Sequence, residues 1–154
     1  MVLDLKKLPP QPDAPPGYRV INLTDGTLIE EWAHIVTSEL FIMEGEAAAG
    51  FAAYISKIWH DRRFQLFAAM QGDTLTGASL LYMQENLAWL GYVAVSGDHR
   101  RRGLGAQLTW RAAARAKDRG MRTVALHASE LGEPVYTRLG FKPVSNIKRR
   151  RLAE

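Results

Sequence analysis

The chain has 154 residues, of which 47% are hydrophobic and none is cysteine, and its formal net charge is +4. This length and apolar content fit one domain with a sizeable core, whereas the lack of cysteine excludes disulfides, thiolate metal sites and a cysteine nucleophile. We see neither an apolar run of about 18 residues nor a secretory leader, and therefore expect a soluble cytoplasmic protein without a membrane span.

The positive charge is concentrated in two short clusters. They are Arg100–Arg102 and Lys148–Arg151, and outside them 13 basic residues stand against 16 acidic ones. A nucleic-acid-binding protein more often has a broad basic stripe with interleaved aromatic residues. The two clusters therefore favour a small polyanion as ligand and disfavour nucleic acid as a partner.

Residues 1–17 are predicted to form a proline-rich arm, because five of the seven prolines fall between Pro9 and Pro16. Residues 18–154 are expected to form a single domain. Its predicted elements, in chain order, are a strand at 18–22, helices at 28–38 and 46–58, strands at 64–70, 75–83 and 87–95, a helix at 104–119, a strand at 123–128, a helix at 134–139 and a strand at 144–152. This order predicts a mixed α/β sheet with an antiparallel N-terminal meander and helices on both faces.

The most informative segment follows the apolar strand 87–95. There a turn with the sequence Arg100-Arg101-Arg102-Gly103-Leu104-Gly105-Ala106 leads directly into a helix. Glycine lets the backbone approach a ligand closely, and a helix start offers unpaired N–H groups and the positive end of the helix dipole. Arginine adds bidentate donors. The segment predicts a phosphate or pyrophosphate site, and the alternative is a solvated basic helix start whose glycines serve only the turn.

Two motifs in this order resemble those of the GNAT superfamily of acyl-CoA-dependent N-acetyltransferases. The phosphate motif of that family, Gln/Arg-x-x-Gly-x-Gly/Ala after a strand, corresponds here to residues 100–105. Its second motif, Leu-Tyr-x-x-x-Gly-Phe, corresponds to Val135-Tyr136-Thr137-Arg138-Leu139-Gly140-Phe141. A lone Gly-x-Gly is weak, but both motifs together are specific. The resemblance covers about residues 18–152 and implies a GNAT-like fold with a V-shaped splay between the fourth and fifth predicted strands, 87–95 and 123–128.

The resemblance also implies a set of site residues, with acetyl-CoA as the acyl donor and no metal. Backbone groups of Val93 and Val95 would bind the pantetheine arm, N–H groups of residues 101–106 would hold the pyrophosphate, and Tyr136 would protonate the departing thiolate. The implied cofactor-binding residues are Val93, Val95, Arg100, Arg101, Arg102, Gly103, Leu104, Gly105, Ala106 and Ser129. Ser129 stands where many relatives have Asn, and a hydroxyl cannot bridge an amide as Asn does.

Two side chains are candidates for the general base. His127 alternates with Ser129 on one side of the second splayed strand and would lie near the open slot, and histidine titrates near neutral pH. Glu85, in the turn before strand 87–95, is a carboxylate that could act directly or through water. Bulk water is a third candidate if the amine is already partly neutral.

These features predict an enzyme that transfers an acetyl group from acetyl-CoA to a primary amine by direct attack in a ternary complex. A non-catalytic acyl-CoA-binding sensor on the same fold is the alternative. The sequence leaves the acceptor open between a small molecule and a peptide or protein amine, and it is compatible with a homodimer.

Overall fold

Residues 1–146, which the computed structural model of the chain describes, contain six strands in one mixed sheet of order β1-β6-β5-β4-β3-β2. The strands are β1 (Val2–Asp4), β2 (Tyr18–Asn22), β3 (Phe64–Gln71), β4 (Thr74–Gln84), β5 (Leu87–Val95) and β6 (Thr123–Leu126). Strands β2 to β5 form an antiparallel meander, and β6 lies parallel to β5. The predicted mixed α/β sheet with its N-terminal meander is therefore confirmed.

Helices pack on both faces of this sheet, as predicted. The α-helices of the described chain are α1 (Ile29–Val36), α2 (Gly45–Ile58), α3 (Leu104–Asp118) and α4 (Glu133–Arg138), and a π-helical turn at Thr37–Phe41 extends α1. Trp32 and Ile55 belong to the core between the sheet and α1 and α2, whereas Leu108 and Tyr136 belong to the core under α3 and α4. No helix within residues 1–146 combines the length and the apolar character that a membrane crossing requires.

The N-terminal residues enter the sheet, which the sequence analysis does not predict. Strand β1 pairs antiparallel with β6, and Leu3 and Leu5 are buried in the core at 2% and 1% exposure. The proline-rich stretch then runs along α3, where the Trp110 indole N–H donates to the Pro9 carbonyl at 2.8 Å. A strand of three residues next to a proline-rich stretch has no periodicity that could identify it, so its pairing is visible only in three dimensions.

The predicted last strand, 144–152, is not found where the structure describes it. Lys142 forms a single antiparallel bridge with Val2, and residues 144–146 belong to no strand. Pro143 follows the bridge at once and has no N–H to continue a ladder. Residues 147–152, with the basic cluster Lys148–Arg151, lie outside the described residues.

Candidate active site

Strand β5 continues beyond the end of its parallel neighbour, and this opens a slot in the sheet. The β5–β6 ladder ends with the pair Leu90 and Leu126, whereas β5 runs on to Val95. About 16 Å of β5, at 3.3 Å per residue, therefore has no partner on the β6 side. The predicted splay between these strands is confirmed. Strand β6 ends at Leu126, two residues before the predicted end at 128, because neither β1 nor β5 pairs with it beyond Leu126.

A β-bulge marks the start of the slot. Tyr92 and Val93 of β5 together oppose the single residue Ser79 of β4. Tyr92 has a φ of 53°, in the left-handed region that is uncommon for residues other than glycine. The extra residue changes the direction in which the rest of β5 presents its backbone.

Beyond the bulge, the backbone groups of β5 point alternately to β4 and to the slot. The Ser96 N–H donates to the Thr76 carbonyl beside β4 at 2.9 Å. Because successive residues of a strand direct their backbone groups to opposite sides, Val95 and Val93 direct theirs to the slot. These are the two residues that the sequence analysis assigns to a pantetheine arm.

The turn between β5 and α3 has the geometry of an anion site. Gly103 is the N-cap of α3, with a φ of 83° and no side-chain cap. The first helical hydrogen bond runs from the Gln107 N–H to the Gly103 carbonyl, at 3.1 Å, so the N–H groups of Leu104, Gly105 and Ala106 have no intrahelical acceptor. A Cβ atom at Gly105 would meet no atom within 4 Å. The open side of this turn, with the positive end of the helix dipole, suits a phosphate group.

The three arginines of the turn have different surroundings. The Arg100 guanidinium donates to the Val95 carbonyl at 3.1 Å from Nε and forms an ion pair with Glu39. Its side chain thus binds other parts of the protein, whereas the sequence analysis assigns all three arginines to the cofactor. Arg101 and Arg102 are exposed and form no ion pair within residues 1–146. Their guanidinium groups are therefore available to a phosphate.

Tyr136 lies on α4, on the side of the sheet that α3 and α4 cover. It is 8% exposed and packs in one cluster with Leu104 at the start of α3 and Leu126 at the end of β6. A Cβ atom at Gly132 would come within 2.8 Å of its ring, so the glycine makes room for the phenol. Burial raises the pKa of Tyr136 above its ordinary value of 10.0. The phenol is therefore protonated at neutral pH and can donate a hydrogen bond.

Ser129 fixes the start of α4. Its hydroxyl accepts a hydrogen bond from the Gly132 N–H at 3.2 Å, and its carbonyl accepts from the Gly132 and Glu133 N–H groups at 3.0 and 2.9 Å. From the sequence, Ser129 is expected to contact the cofactor. The structure instead gives its hydroxyl a partner in the turn that carries Tyr136.

The structure brings one of the two candidate bases to the slot. His127 follows the last residue of β6, and its ring meets the Trp89 indole edge-on at a centroid distance of 6.3 Å. Glu85 lies exposed in the β4–β5 turn, before Leu87, and β5 runs about 13 Å from Leu87 to Gly91, where the slot begins. Glu85 is therefore at the wrong end of β5 for proton transfer at the slot.

A pocket of about 240 Å³ lies beside the bulge on the face that α1 and α2 cover, and the sequence analysis does not predict it. Its lining includes Tyr54, Phe64, Tyr82, Trp89, Tyr92 and the guanidinium of Arg63; we call it the aromatic pocket. The ring of Tyr92 meets four other rings edge-on, at centroid distances of 5.5, 5.8, 5.9 and 6.4 Å. Burial, and to a smaller degree the nearby Tyr54, raises the pKa of Tyr92. Apart from Arg63, the lining of the pocket is thus aromatic or aliphatic.

The same sheet is found in solved structures of acetyltransferases. A GCN5-related N-acetyltransferase from Ralstonia eutropha is 21% identical with a TM-score of 0.72, and the match covers 88% of this chain and 99% of that one. A predicted acetyltransferase from Clostridium acetobutylicum, solved with acetyl-CoA, is 16% identical with a TM-score of 0.74, covering 87% and 96%. An aminoglycoside N-acetyltransferase solved with CoA is 18% identical with a TM-score of 0.72, covering 88% and 94%. At these identities the likeness concerns the fold.

The likeness to these structures places the chain in a class of fold that acetyltransferases have. The family described as acetyltransferase (GNAT) domain matches residues 40–151. The chain therefore belongs to the GNAT family and is an N-acetyltransferase by class, as the two sequence motifs predict. A comparison with curated proteins finds no match to the sequence.

Proposed function

We propose that the chain transfers an acetyl group from acetyl-CoA to a primary amine, by direct attack within a ternary complex. The observation that carries this proposal is the continuity of the open β5 edge with the uncapped N-terminus of α3. One strand-turn-helix segment can thus hold a thioester arm and a pyrophosphate at the same time. The acetyl-CoA and CoA complexes of the two structural relatives named above support this choice of donor.

The donor would lie along the segment from β5 to α3. The Val93 and Val95 backbone groups that face the slot would bind the pantetheine amides, and the N–H groups of residues 101–106 would bind the pyrophosphate. Arg101 and Arg102 would add charge toward a further phosphate. Arg100 has a different role in this proposal, because its guanidinium joins the end of β5 to Glu39 in the π-helical turn.

The transfer needs an N–C bond to form and a C–S bond to break. The neutral amine attacks the thioester carbonyl carbon, and the resulting oxyanion requires a donor such as a backbone N–H of the slot. When the C–S bond breaks, its electron pair goes to sulfur, and the Tyr136 hydroxyl donates a hydrogen bond to the departing thiolate, which takes its final proton from water. Since burial raises the pKa of Tyr136 and a thiol has a pKa of about 8.5, the phenol acts mainly by hydrogen bonding to the developing thiolate.

The proton that leaves the amine goes to His127 or to water. His127 is exposed beside Trp89, at the end of β6. Its position at the mouth of the slot allows exchange of the proton with solvent. Glu85 has no part in this step because of its distance along β5.

The test of the proposal is the conservative variant Tyr136→Phe, assayed by thiol release and by calorimetry with acetyl-CoA. We expect kcat to fall about ten- to a thousandfold, within the range of general-acid catalysis that water partly replaces. Affinity for acetyl-CoA should change little, because the lost contact matters in the transition state.

Full activity in the Phe variant would show that Tyr136 only packs on Phe141. Tight acetyl-CoA binding with no transfer by the wild-type protein to any amine would instead identify an acyl-CoA sensor.

A further inference from the structure

We infer that the acceptor is a monoamine with an aromatic or similarly apolar body, which packs in the aromatic pocket, and that polycationic amines are poor substrates. The inference rests on the proposed function, because it concerns the amine that receives the acetyl group. Three features of the described residues carry it: the position of the pocket, its charge and its rim.

The aromatic pocket lies next to the place where the slot opens. Trp89 and Tyr92 line the pocket and also belong to β5 on either side of Gly91. The Trp89 indole covers the Gly91 backbone so closely that a Cβ atom there would lie 2.0 Å from the ring. The indole also meets the His127 ring edge-on. A body bound in the pocket therefore places its amine beside both the slot and the candidate base.

The charge of the pocket does not suit a polycation. The described lining contains no carboxylate, and its charged side chain is Arg63. The Asp61 carboxylate binds that guanidinium at 2.6 to 3.1 Å, so the pair leaves no net negative charge at the pocket. A second ammonium group would therefore find no carboxylate in the described lining to pair with. The same surroundings favour the neutral form of a single amine, which is the form that attacks a thioester.

An apolar rim extends this surface into solvent. Tyr54 is 51% exposed and Phe41, which contacts Tyr92 edge-on, is 40% exposed. Ile42 follows with 86% exposure and a φ of 52°, an unfavourable conformation for a β-branched residue. Exposed apolar groups that continue a ring-lined pocket are typical of a binding surface. A flat apolar body gains contact with both the pocket and the rim.

The experiment compares three amines that carry the same reacting group, a primary amine, on different bodies. With saturating acetyl-CoA, we compare kcat/KM for 2-phenylethylamine, n-propylamine and spermidine by thiol release. We expect 2-phenylethylamine to exceed n-propylamine by about tenfold or more, from burial of the ring, and spermidine to fall below both. Spermidine as the best acceptor would overturn the inference and leave the proposed acetyl transfer intact.

Calorimetry on the CoA-bound protein separates this inference from the proposed function. Tighter binding of 2-phenylethylamine than of spermidine supports the pocket assignment even if no amine is acetylated. Lack of acetylation would refute only the catalytic proposal. Equal or weaker binding of 2-phenylethylamine would overturn the inference.

Variants of Tyr54 test the ring itself, because this half-exposed residue on α2 can be changed without loss of the fold. In Tyr54→Leu the ratio of kcat/KM for 2-phenylethylamine over n-propylamine should fall about fivefold, whereas Tyr54→Phe should keep the ratio. Lys57→Leu, at an exposed position of the same helix, is the matched control. An unchanged ratio in Tyr54→Leu would show that the acceptor does not use the pocket.

Discussion

Gly105 allows the anion site to be tested by a change that should stabilise the fold and weaken the ligand. It is the second residue of α3 after the Gly103 cap, and a Cβ atom there would meet nothing within 4 Å. Gly105→Ala should therefore gain part of the about 0.5–1 kcal/mol by which alanine exceeds glycine in a helix. Gly105→Glu adds a favourable charge at the positive end of the dipole, worth about 0.3–1 kcal/mol. Both variants should unfold at the wild-type temperature or a few degrees above it.

Affinity for acetyl-CoA should move in the opposite direction. The added methyl group occupies the space from which a phosphate oxygen would reach the N–H groups of the first turn. Loss of one hydrogen bond to a charged group costs about 1.5–3 kcal/mol, which corresponds to about ten- to a hundredfold weaker binding. The Glu variant should lose more, since its carboxylate repels the pyrophosphate.

Calorimetry with acetyl-CoA, paired with thermal unfolding, measures both effects. Gly97→Ala is the control, because Gly97 lies in the same segment and also has open space at its Cβ position. Wild-type affinity in folded Gly105→Glu would refute the placement of the pyrophosphate. A lower unfolding temperature in Gly105→Ala would show that the glycine serves the fold.

Two further predictions follow from the contacts at the site. Gly132→Ala should push the Tyr136 ring out of place, since the new Cβ atom would lie 2.8 Å from it. We expect kcat to fall when this change is made in the wild-type protein, but to fall little further when it is made in Tyr136→Phe. Additive losses of kcat in this double-mutant cycle would show that the two residues act independently. CoA should raise the unfolding temperature more than 3′-dephospho-CoA does, because the arginines bind the additional phosphate and the stabilisation grows with affinity as RT ln(1 + [L]/Kd). The double variant Arg101→Ala/Arg102→Ala should show a smaller difference between the two ligands. Equal shifts for the two ligands in the wild-type protein would remove both arginines from the site.

The parts of the fold that the sequence predicts well are those with a long local signal. The helix predicted at 104–119 is α3 at Leu104–Asp118, and the one predicted at 46–58 is α2 at Gly45–Ile58. Both have an apolar stripe of helical period, and Gly120 with a φ of 81° ends α3. The anion turn is likewise contained in one short segment, so its place in the fold follows directly from the order of residues.

The features that the sequence does not reveal depend on partners far along the chain. Strand β1 forms only because β6, some 120 residues later, has a free edge. In the sequence, Arg100 has the pattern of a phosphate ligand, but in the fold its guanidinium forms an ion pair with Glu39, 61 residues away in sequence. Glu85 is close to the slot in sequence, but the length of β5 separates it from the chemistry. Spacing along the chain cannot give these distances.

The bulge at Tyr92 is the most consequential of these hidden features. In the sequence, Tyr92 continues an apolar strand like any aromatic residue, and nothing in its neighbours marks a left-handed φ. In the structure the bulge aims the β5 backbone beyond it into the slot, while the Tyr92 ring becomes part of the aromatic pocket on the α1 and α2 face. Tyr136 belongs to the opposite face. An amine that approaches from the pocket and a thiolate that leaves toward Tyr136 would therefore lie on opposite sides of the sheet, so one irregular residue in β5 separates the entering group from the leaving group.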